Sequence, residues 1–159
     1  LFELILGKCG LKLNKPHHTK YFDISINNLR ESGLKEYLPI GLMARSQASM
    51  ELRKFDTSFY DLQETYEVVH LSGMRLYLTD YHLEMARLIL AIEADPTQYP
   101  EATPDREQRT LPPEIADPDE PGILTLEGHI LAAERLINET GYHRRDTELA
   151  ELKRAIGTT

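Results

Sequence analysis

The sequence predicts an all-α protein built from repeated pairs of antiparallel helices, and two observations lead to this prediction. First, three segments end alike, in Ser-Gly or Thr-Gly, at Gly33, Gly73 and Gly141. Second, apolar residues before these glycines recur at helical spacing, and no segment shows the two-residue alternation typical of a strand. Repeated helix pairs bury their apolar faces by stacking on one another. The predicted fold is therefore a helix-pair solenoid of about three repeats and a capping helix.

The bulk composition limits the classes of partner. The 159 residues carry a net charge of −8 and a pI of about 5.2. An acidic chain is a poor partner for nucleic acid or for an anionic membrane. One cysteine, Cys9, allows no internal disulfide and fits a reducing compartment, so we expect a cytoplasmic location. Because the sequence begins at Leu1 rather than Met, we expect a fragment of a longer protein.

Superposing the three glycines brings the helices before them into register. Each copy then has a large apolar residue, a small residue three positions later, and a second large apolar residue. These sets are Phe22, Leu62 and Ile130; Ser25, Thr65 and Ala133; and Leu29, Val69 and Ile137. The aligned positions are predicted to form the core, and each glycine is predicted to end its helix in the left-handed conformation.

A second helix is predicted after each of the first two glycines, and both of these helices contain the sequence Met-Ala-Arg. The earlier one carries Gly41, Ala44 and Ala48 on one stripe, where small side chains would let a neighbouring helix approach closely. A short helix from about Asp146 to Ile156 would cap the stack.

Residues 1–6 are predicted to be the end of a helix from a truncated first copy.

These motifs resemble the tetratricopeptide repeat (TPR) family. Its pattern of small and large residues is matched by Ser46, Ser58, Leu62 and Thr65, whereas Ser49 stands where the family usually has an aromatic residue. The segments SGMRLYLTDYHLEMAR and ETGYHRRDTELAELK are similar to the carboxy-terminal TPR-like arrays of large bacterial signalling proteins, including STAND-class nucleotide-switch ATPases. The resemblance implies a superhelical array that binds proteins or peptides.

An insert interrupts the third repeat. Residues 94–122 hold seven of the nine prolines, and their eight acidic residues against two arginines give a charge of −6. Proline at this density cannot form a helix. We therefore predict one TPR-like domain over residues 1–159, with a proline-rich acidic insert at 94–122. We further predict that the insert folds back over part of the apolar face formed by Met85, Ile89 and Ile92. The alternative is that a second copy of the protein or a missing neighbouring repeat covers this face.

Residues able to do chemistry are few and lack the spacing that catalysis or metal binding requires. His17 and His18 are adjacent and point apart on a helix, and Asp80, His82 and Glu84 lack the second histidine of a zinc-protease helix. Cys9 is predicted to be a packing residue. Arg144 and Arg145 are predicted to be solvated, with an anion site as the alternative. The sequence thus predicts no enzyme, no cofactor and no metal.

The helices that contain Met-Ala-Arg carry further side chains off their packing stripes. In a TPR array this side faces the concave groove, and methionine suits an adaptable binding surface. The predicted partner-binding groove consists of Met43, Gln47, Met50, His82, Met85 and Ile89. The alternative is that these residues pack on other helices.

The expected function is a non-enzymatic module that binds a protein or peptide and serves as the sensing or scaffolding segment of a larger bacterial signalling protein. A structural spacer or oligomerisation surface is the first alternative. A small-molecule-sensing or hydrolytic site under the insert is the second.

Overall fold

The computed structural model describes residues 18–94 and 125–157, and within these ranges the regular structure is entirely helical. Six α-helices follow one another, α1 His18–Ser32, α2 Leu38–Glu51, α3 Phe55–Leu71, α4 Arg75–Ala94, α5 Leu126–Thr140 and α6 Asp146–Ala155. A 3₁₀ turn, His143–Arg145, leads into α6. The all-α prediction is confirmed for these residues, whereas residues 1–17, including Cys9, and the insert from residue 95 onward lie outside them.

The chain divides into two compact units, Leu1–Ser72 and Gly73–Thr159. The first unit contains α1, α2 and α3. The second unit contains α4, α5 and α6.

The three aligned glycines end helices as predicted. Gly33, Gly73 and Gly141 have φ angles of 71°, 63° and 72°, a left-handed conformation that glycine adopts without the steric cost of a Cβ atom. At the end of α5, the amide groups of Gly141 and Tyr142 both donate to the Ile137 carbonyl, at 2.8 and 3.2 Å. These bonds satisfy a terminal carbonyl that the helix leaves open.

The predicted core register is confirmed in both units. All nine aligned residues are buried, and they include the small residues Ser25, Thr65 and Ala133 as well as the six large ones. The predicted short last helix is also present, and Leu149 and Leu152 of α6 join the core of the second unit.

In the first unit, α2 packs against both α1 and α3. A Cβ atom placed on Gly41 would lie 3.2 Å from Cγ1 of Ile26, so the glycine allows α1 and α2 to approach closely. Between α2 and α3, the Ser46 and Ser58 hydroxyl groups share a hydrogen bond of 2.6 Å. These two serines occupy small-residue positions of the repeat pattern, and their bond explains why polar residues are accepted inside the core.

In the second unit, α4 packs against α5, and α6 contacts both helices. The core cluster joins Leu83 and Ala86 of α4 to Ile130, Ala133 and Ile137 of α5. Arg75 near the start of α4 bonds Glu139 near the end of α5, and His82 further along α4 bonds His129 nearer the start of α5. The two helices therefore run antiparallel, as predicted.

The turn between α2 and α3 has an unusual backbone. Arg53 has a φ angle of 57°, the only positive value of a non-glycine residue in the described part of the chain. An L-residue pays about 1–2 kcal/mol for this conformation. The tetratricopeptide pattern that the sequence resembles usually has Gly-Asp at such a turn, and Arg53 and Lys54 stand here instead.

Candidate functional site

The arginine of the first Met-Ala-Arg sequence links the three helices of the first unit. Arg45 donates from Nε and Nη2 to both carboxylate oxygens of Asp61 on α3, at 2.9 and 2.6 Å. Its Nη1 donates to Asp23 on α1 at 2.7 Å. The Asp61 side chain is only 3% exposed, so the two-pronged bond to Arg45 neutralises a carboxylate that has lost its water. Arg45 is thus a structural cross-link between helices.

The arginine of the second Met-Ala-Arg sequence links α4 to α6. Arg87 donates from Nη2 to Glu148 at 2.9 Å and also bonds Glu84 on its own helix. Arg145 donates from Nη1 to the other oxygen of Glu148 at 2.5 Å and from Nε to Asp80 at 2.7 Å. Burial raises the pKa of Glu148, but the hydrogen bonds from the two arginines together lower it below its ordinary value. Glu148 therefore stays ionised at neutral pH, and its bond to Arg87 holds α6 on α4.

This network corrects the interpretation of the Arg144–Arg145 pair. Arg145 is half-buried and bonded to two carboxylates, so it is not a solvated residue of the turn. Arg144 is exposed and lies 5.6 Å from the centre of the Tyr142 ring, a cation–π contact.

His82 of α4 is fully buried and faces His129 of α5. The two Nδ1 atoms lie 2.9 Å apart, and the side chains are 0% and 1% exposed. The Tyr81 ring meets the His129 ring edge-on, with centroids 5.9 Å apart. Burial lowers the pKa of His129 to about 4, and burial followed by the nearby His129 and Arg135 lowers the pKa of His82 well below its ordinary value. Both imidazoles are therefore neutral at pH 7.

The three residues Asp80, His82 and Glu84 do not form one site. At about 100° per residue, His82 projects roughly opposite to the other two on α4. Asp80 bonds Arg145 and Glu84 bonds Arg87, whereas His82 bonds His129 on α5. The structure also shows no group of three or more His, Cys, Asp or Glu placed to hold a metal ion within residues 18–94 and 125–157.

The predicted partner-binding groove needs correction, because half of its residues are buried. Met43, Met85 and His82 belong to the interior, while Met50 and Ile89 are half-buried and Gln47 alone is exposed. Ile89 also packs against the core cluster of the second unit.

The reason lies in the number of neighbours that each helix has. Helix α2 lies against both α1 and α3, and α4 lies against both α5 and α6. A residue that is off one packing seam therefore faces the other neighbour rather than an open groove. The alternative, that these residues pack on other helices, holds for the buried ones.

The outer face of α3 is the candidate site that the structure offers instead. Tyr60, Glu64, Glu67 and Leu71 follow one another at intervals of four, three and four residues, which places them within an arc of about 60° on the helix. We call these four residues the α3 stripe. Tyr60 is 62% exposed and Leu71 is 84% exposed. Two large apolar side chains thus stand in water, about 16 Å apart along the helix.

The two acids between these apolar residues differ in their bonding. Glu64 accepts hydrogen bonds from Nε and Nη2 of Arg30 on α1, at 3.0 and 2.5 Å, so its charge is already matched. Glu67 is half-buried and makes no ion pair with any residue that the structure describes. The α3 stripe therefore offers two apolar contacts and one carboxylate that a partner cation can bind.

Sequence reasoning missed both the α3 stripe and the histidine pair. The stripe could have been found, because the spacing of its four residues is helical and opposite to the core face of α3. The histidine pair joins two residues 47 positions apart that have no ligand spacing. The two histidines come together only because α4 packs against α5, and the sequence alone does not show this packing.

Comparison with known proteins identifies no family for this chain. No protein-family profile matches the chain, and neither a curated protein nor a solved structure is significantly similar to it. In the described part of the chain, no helix has both the length and the apolar character needed to span a membrane.

Proposed function

We propose that the chain is a non-enzymatic helical module that binds a protein or peptide, as a partner-sensing or scaffolding segment of a larger protein. The observation that carries this proposal is the α3 stripe, where Tyr60 and Leu71 remain exposed beside Glu67. Exposed apolar side chains that lie on one helix face are typical of a binding surface. The buried charges, by contrast, are used to hold the helices together.

We propose further that the helix pairs stack as a TPR-like solenoid. The aligned glycines, the shared core register and the antiparallel packing of α4 on α5 support this arrangement. The two Met-Ala-Arg arginines support it as well, because each of them bonds a carboxylate on another helix of its own unit. In such an array the same contact would recur from repeat to repeat.

The partner that fits the α3 stripe is a cationic segment with two apolar side chains. The chain carries a net charge of −8, which attracts a basic partner and repels a second acidic copy. A lysine or arginine placed between the two apolar residues of the partner would reach the Glu67 carboxylate. A helical partner covers the distance from Tyr60 to Leu71 with about 11 residues.

The test uses a fluorescein-labelled amphipathic peptide of leucine and lysine, about 12 residues long, and a matched peptide of leucine and glutamate. Fluorescence anisotropy is measured against the full chain at pH 7. We expect the lysine peptide to bind and the glutamate peptide not to bind. The double variant Tyr60→Ser/Leu71→Ser should weaken binding at least about tenfold, because each lost apolar contact contributes about 1.5–3 kcal/mol when fully buried.

The matched control is Leu131→Ser, since Leu131 of α5 is 63% exposed but has no second apolar residue on its face of comparable exposure. This variant should bind the lysine peptide as tightly as the unchanged chain does. Equal losses in the two variants, or no binding of the lysine peptide, would exclude the α3 stripe as the site. Sedimentation equilibrium tests the alternative of an oligomerisation surface. If the chain is a dimer and Tyr60→Ser/Leu71→Ser makes it a monomer, the α3 stripe binds a second copy of the chain instead.

A further inference from the structure

The α3 stripe has the same order of side chains from either end. At one end, Tyr60 is followed by Glu64 four residues later. At the other end, Leu71 is preceded by Glu67 four residues earlier. An apolar side chain therefore stands at each end, with a carboxylate about one helical turn inside it. These four residues alone would not fix the direction in which a helical partner lies on the stripe.

Arg30 of α1 breaks this symmetry, because it binds only one of the two acids. Its Nε and Nη2 atoms donate to the two carboxylate oxygens of Glu64, at 3.0 and 2.5 Å. A lysine ammonium cannot reproduce this two-pronged geometry, so a partner lysine does not readily replace Arg30. Glu67 is half-buried and forms no ion pair within the described part of the chain. Only Glu67 is therefore open to a cation of the partner.

The open carboxylate lies closer to one end of the stripe. At 1.5 Å per residue, Glu67 is about 6 Å along the helix from Leu71 and about 10.5 Å from Tyr60. The cation of a bound partner must therefore lie nearer the apolar residue that contacts Leu71. The carboxyl end of the α3 dipole, which is negative, lies on the same side and also favours a cation there.

We propose that Arg30 is a specificity-determining residue that sets the direction in which a basic helical partner lies on the α3 stripe. This inference rests on the proposed binding function. A partner whose cation lies four residues after its first apolar anchor runs antiparallel to α3. A partner whose cation lies four residues before its second apolar anchor runs parallel. Without Arg30, Glu64 would bind a cation as Glu67 does, and each partner would lie in both directions.

The test uses two peptides of identical composition, each about 12 residues long and made mostly of alanine. Both have leucine at each end. One has lysine four residues after the first leucine and glutamine four residues before the last, and the other has these two residues exchanged. Each peptide carries a nitroxide at its amino terminus, and the broadening of amide NMR signals along α3 is recorded in the full chain at pH 7.

The unchanged chain should bind the two peptides in opposite directions. The nitroxide of the peptide with lysine near its amino terminus should broaden the signals around Leu71. The nitroxide of the other peptide should broaden those around Tyr60. This comparison needs no substitution in the protein, so it tests the inference even if a variant fails to fold.

Two variants then test the role of Arg30. Both side chains of the Arg30–Glu64 pair are partly exposed, so we expect Arg30→Met to fold. In this variant each peptide should broaden the signals at both ends of the stripe. In Arg30→Met/Glu67→Gln only Glu64 remains, and the direction of each peptide should reverse. The α3 dipole is the same in both variants, so it cannot cause the reversal.

Arg154→Met is the matched control, because Arg154 is an exposed arginine of α6 in the second unit and its loss changes the net charge equally. This variant should keep the directions seen in the unchanged chain. One direction for both peptides in the unchanged chain, or unaltered directions in Arg30→Met, would overturn the inference while leaving the binding function in place. If neither peptide binds, or if Tyr60→Ser/Leu71→Ser binds both unchanged, the proposed function fails and this inference fails with it.

Discussion

The two units build similar helix pairs and join them by different chemistry. In the first unit, α2 and α3 are joined by an ion pair, Arg45 with Asp61, and by the hydroxyl groups of Ser46 and Ser58. In the second unit, α4 and α5 are joined by two neutral imidazoles. The glycine alignment places His129 at the position of Asp61, so one aligned position carries an ion pair in one unit and a hydrogen bond between neutral imidazoles in the other.

This difference teaches that repeat positions preserve burial rather than chemistry. The aligned position is buried in both units, and each buried polar group has found a partner on the facing helix. The contact between α4 and α5 is therefore neutral at pH 7, whereas the contact between α2 and α3 is an ion pair. The first unit also carries the exposed α3 stripe.

The largest expected effect comes from emptying the core at the aligned position of each unit. Leu62→Ala and Ile130→Ala each remove a buried large side chain and leave a cavity, so each should lower the free energy of unfolding by about 2–5 kcal/mol. Urea unfolding with a tryptophan reporter in each unit, Phe59→Trp or Tyr142→Trp, measures the two losses separately. A neutral result for either substitution would show that the alignment of the two units is wrong.

Removing either of the two Met-Ala-Arg arginines should destabilise its own unit by a similar amount, because each arginine bonds a buried carboxylate. Arg45→Leu leaves the buried Asp61 carboxylate without its guanidinium, and we expect a loss of about 3 kcal/mol at pH 7. Arg87→Leu should cost about as much, because the buried Glu84 carboxylate, whose side chain is 6% exposed, loses its bond to Arg87.

Urea unfolding of both variants with the reporter of their own unit makes this comparison. Asp23→Ala is the control for Arg45→Leu, since Asp23 is exposed and its loss leaves the Arg45–Asp61 bond in place. A neutral result for either arginine would contradict its role as a partner of a buried carboxylate.

The smallest expected effect concerns the turn of the first unit. Arg53→Gly removes the steric cost of a left-handed residue and adds flexibility to the unfolded chain, so the net gain should be about 0.5–1 kcal/mol. Lys54 lies one position later and has no positive φ angle, so Lys54→Gly should not raise the free energy of unfolding. A destabilised Arg53→Gly variant would mean that contacts of the arginine side chain outweigh the backbone strain.

The helical fold was predictable from the sequence because its signals are local. Helical spacing placed the core, and Gly33, Gly73 and Gly141 marked the helix ends. The capping helix followed from the spacing of Leu149 and Leu152.

The groove was not predictable, because the exposure of Met43 and Met85 depends on how many helices surround α2 and α4. The same applies to the histidine pair, since His82 and His129 meet only once α4 and α5 are packed. The predicted groove residues were assigned together from the resemblance to TPR arrays. Whether each of them is exposed depends on its own neighbours in the folded chain.

The most direct test of the proposed binding function compares two exposed leucines, Leu71 of the first unit and Leu131 of the second, which are the most exposed leucines among the described residues of each unit. Leucine methyl groups are labelled in the full chain, and methyl NMR spectra are recorded during a titration with the leucine–lysine peptide at pH 7. The Leu71 methyl signals should shift to saturation with the affinity that anisotropy gives, while those of Leu131 stay in place. Shifts of equal size at Leu131, or none at Leu71, would show that the α3 stripe is not the binding surface.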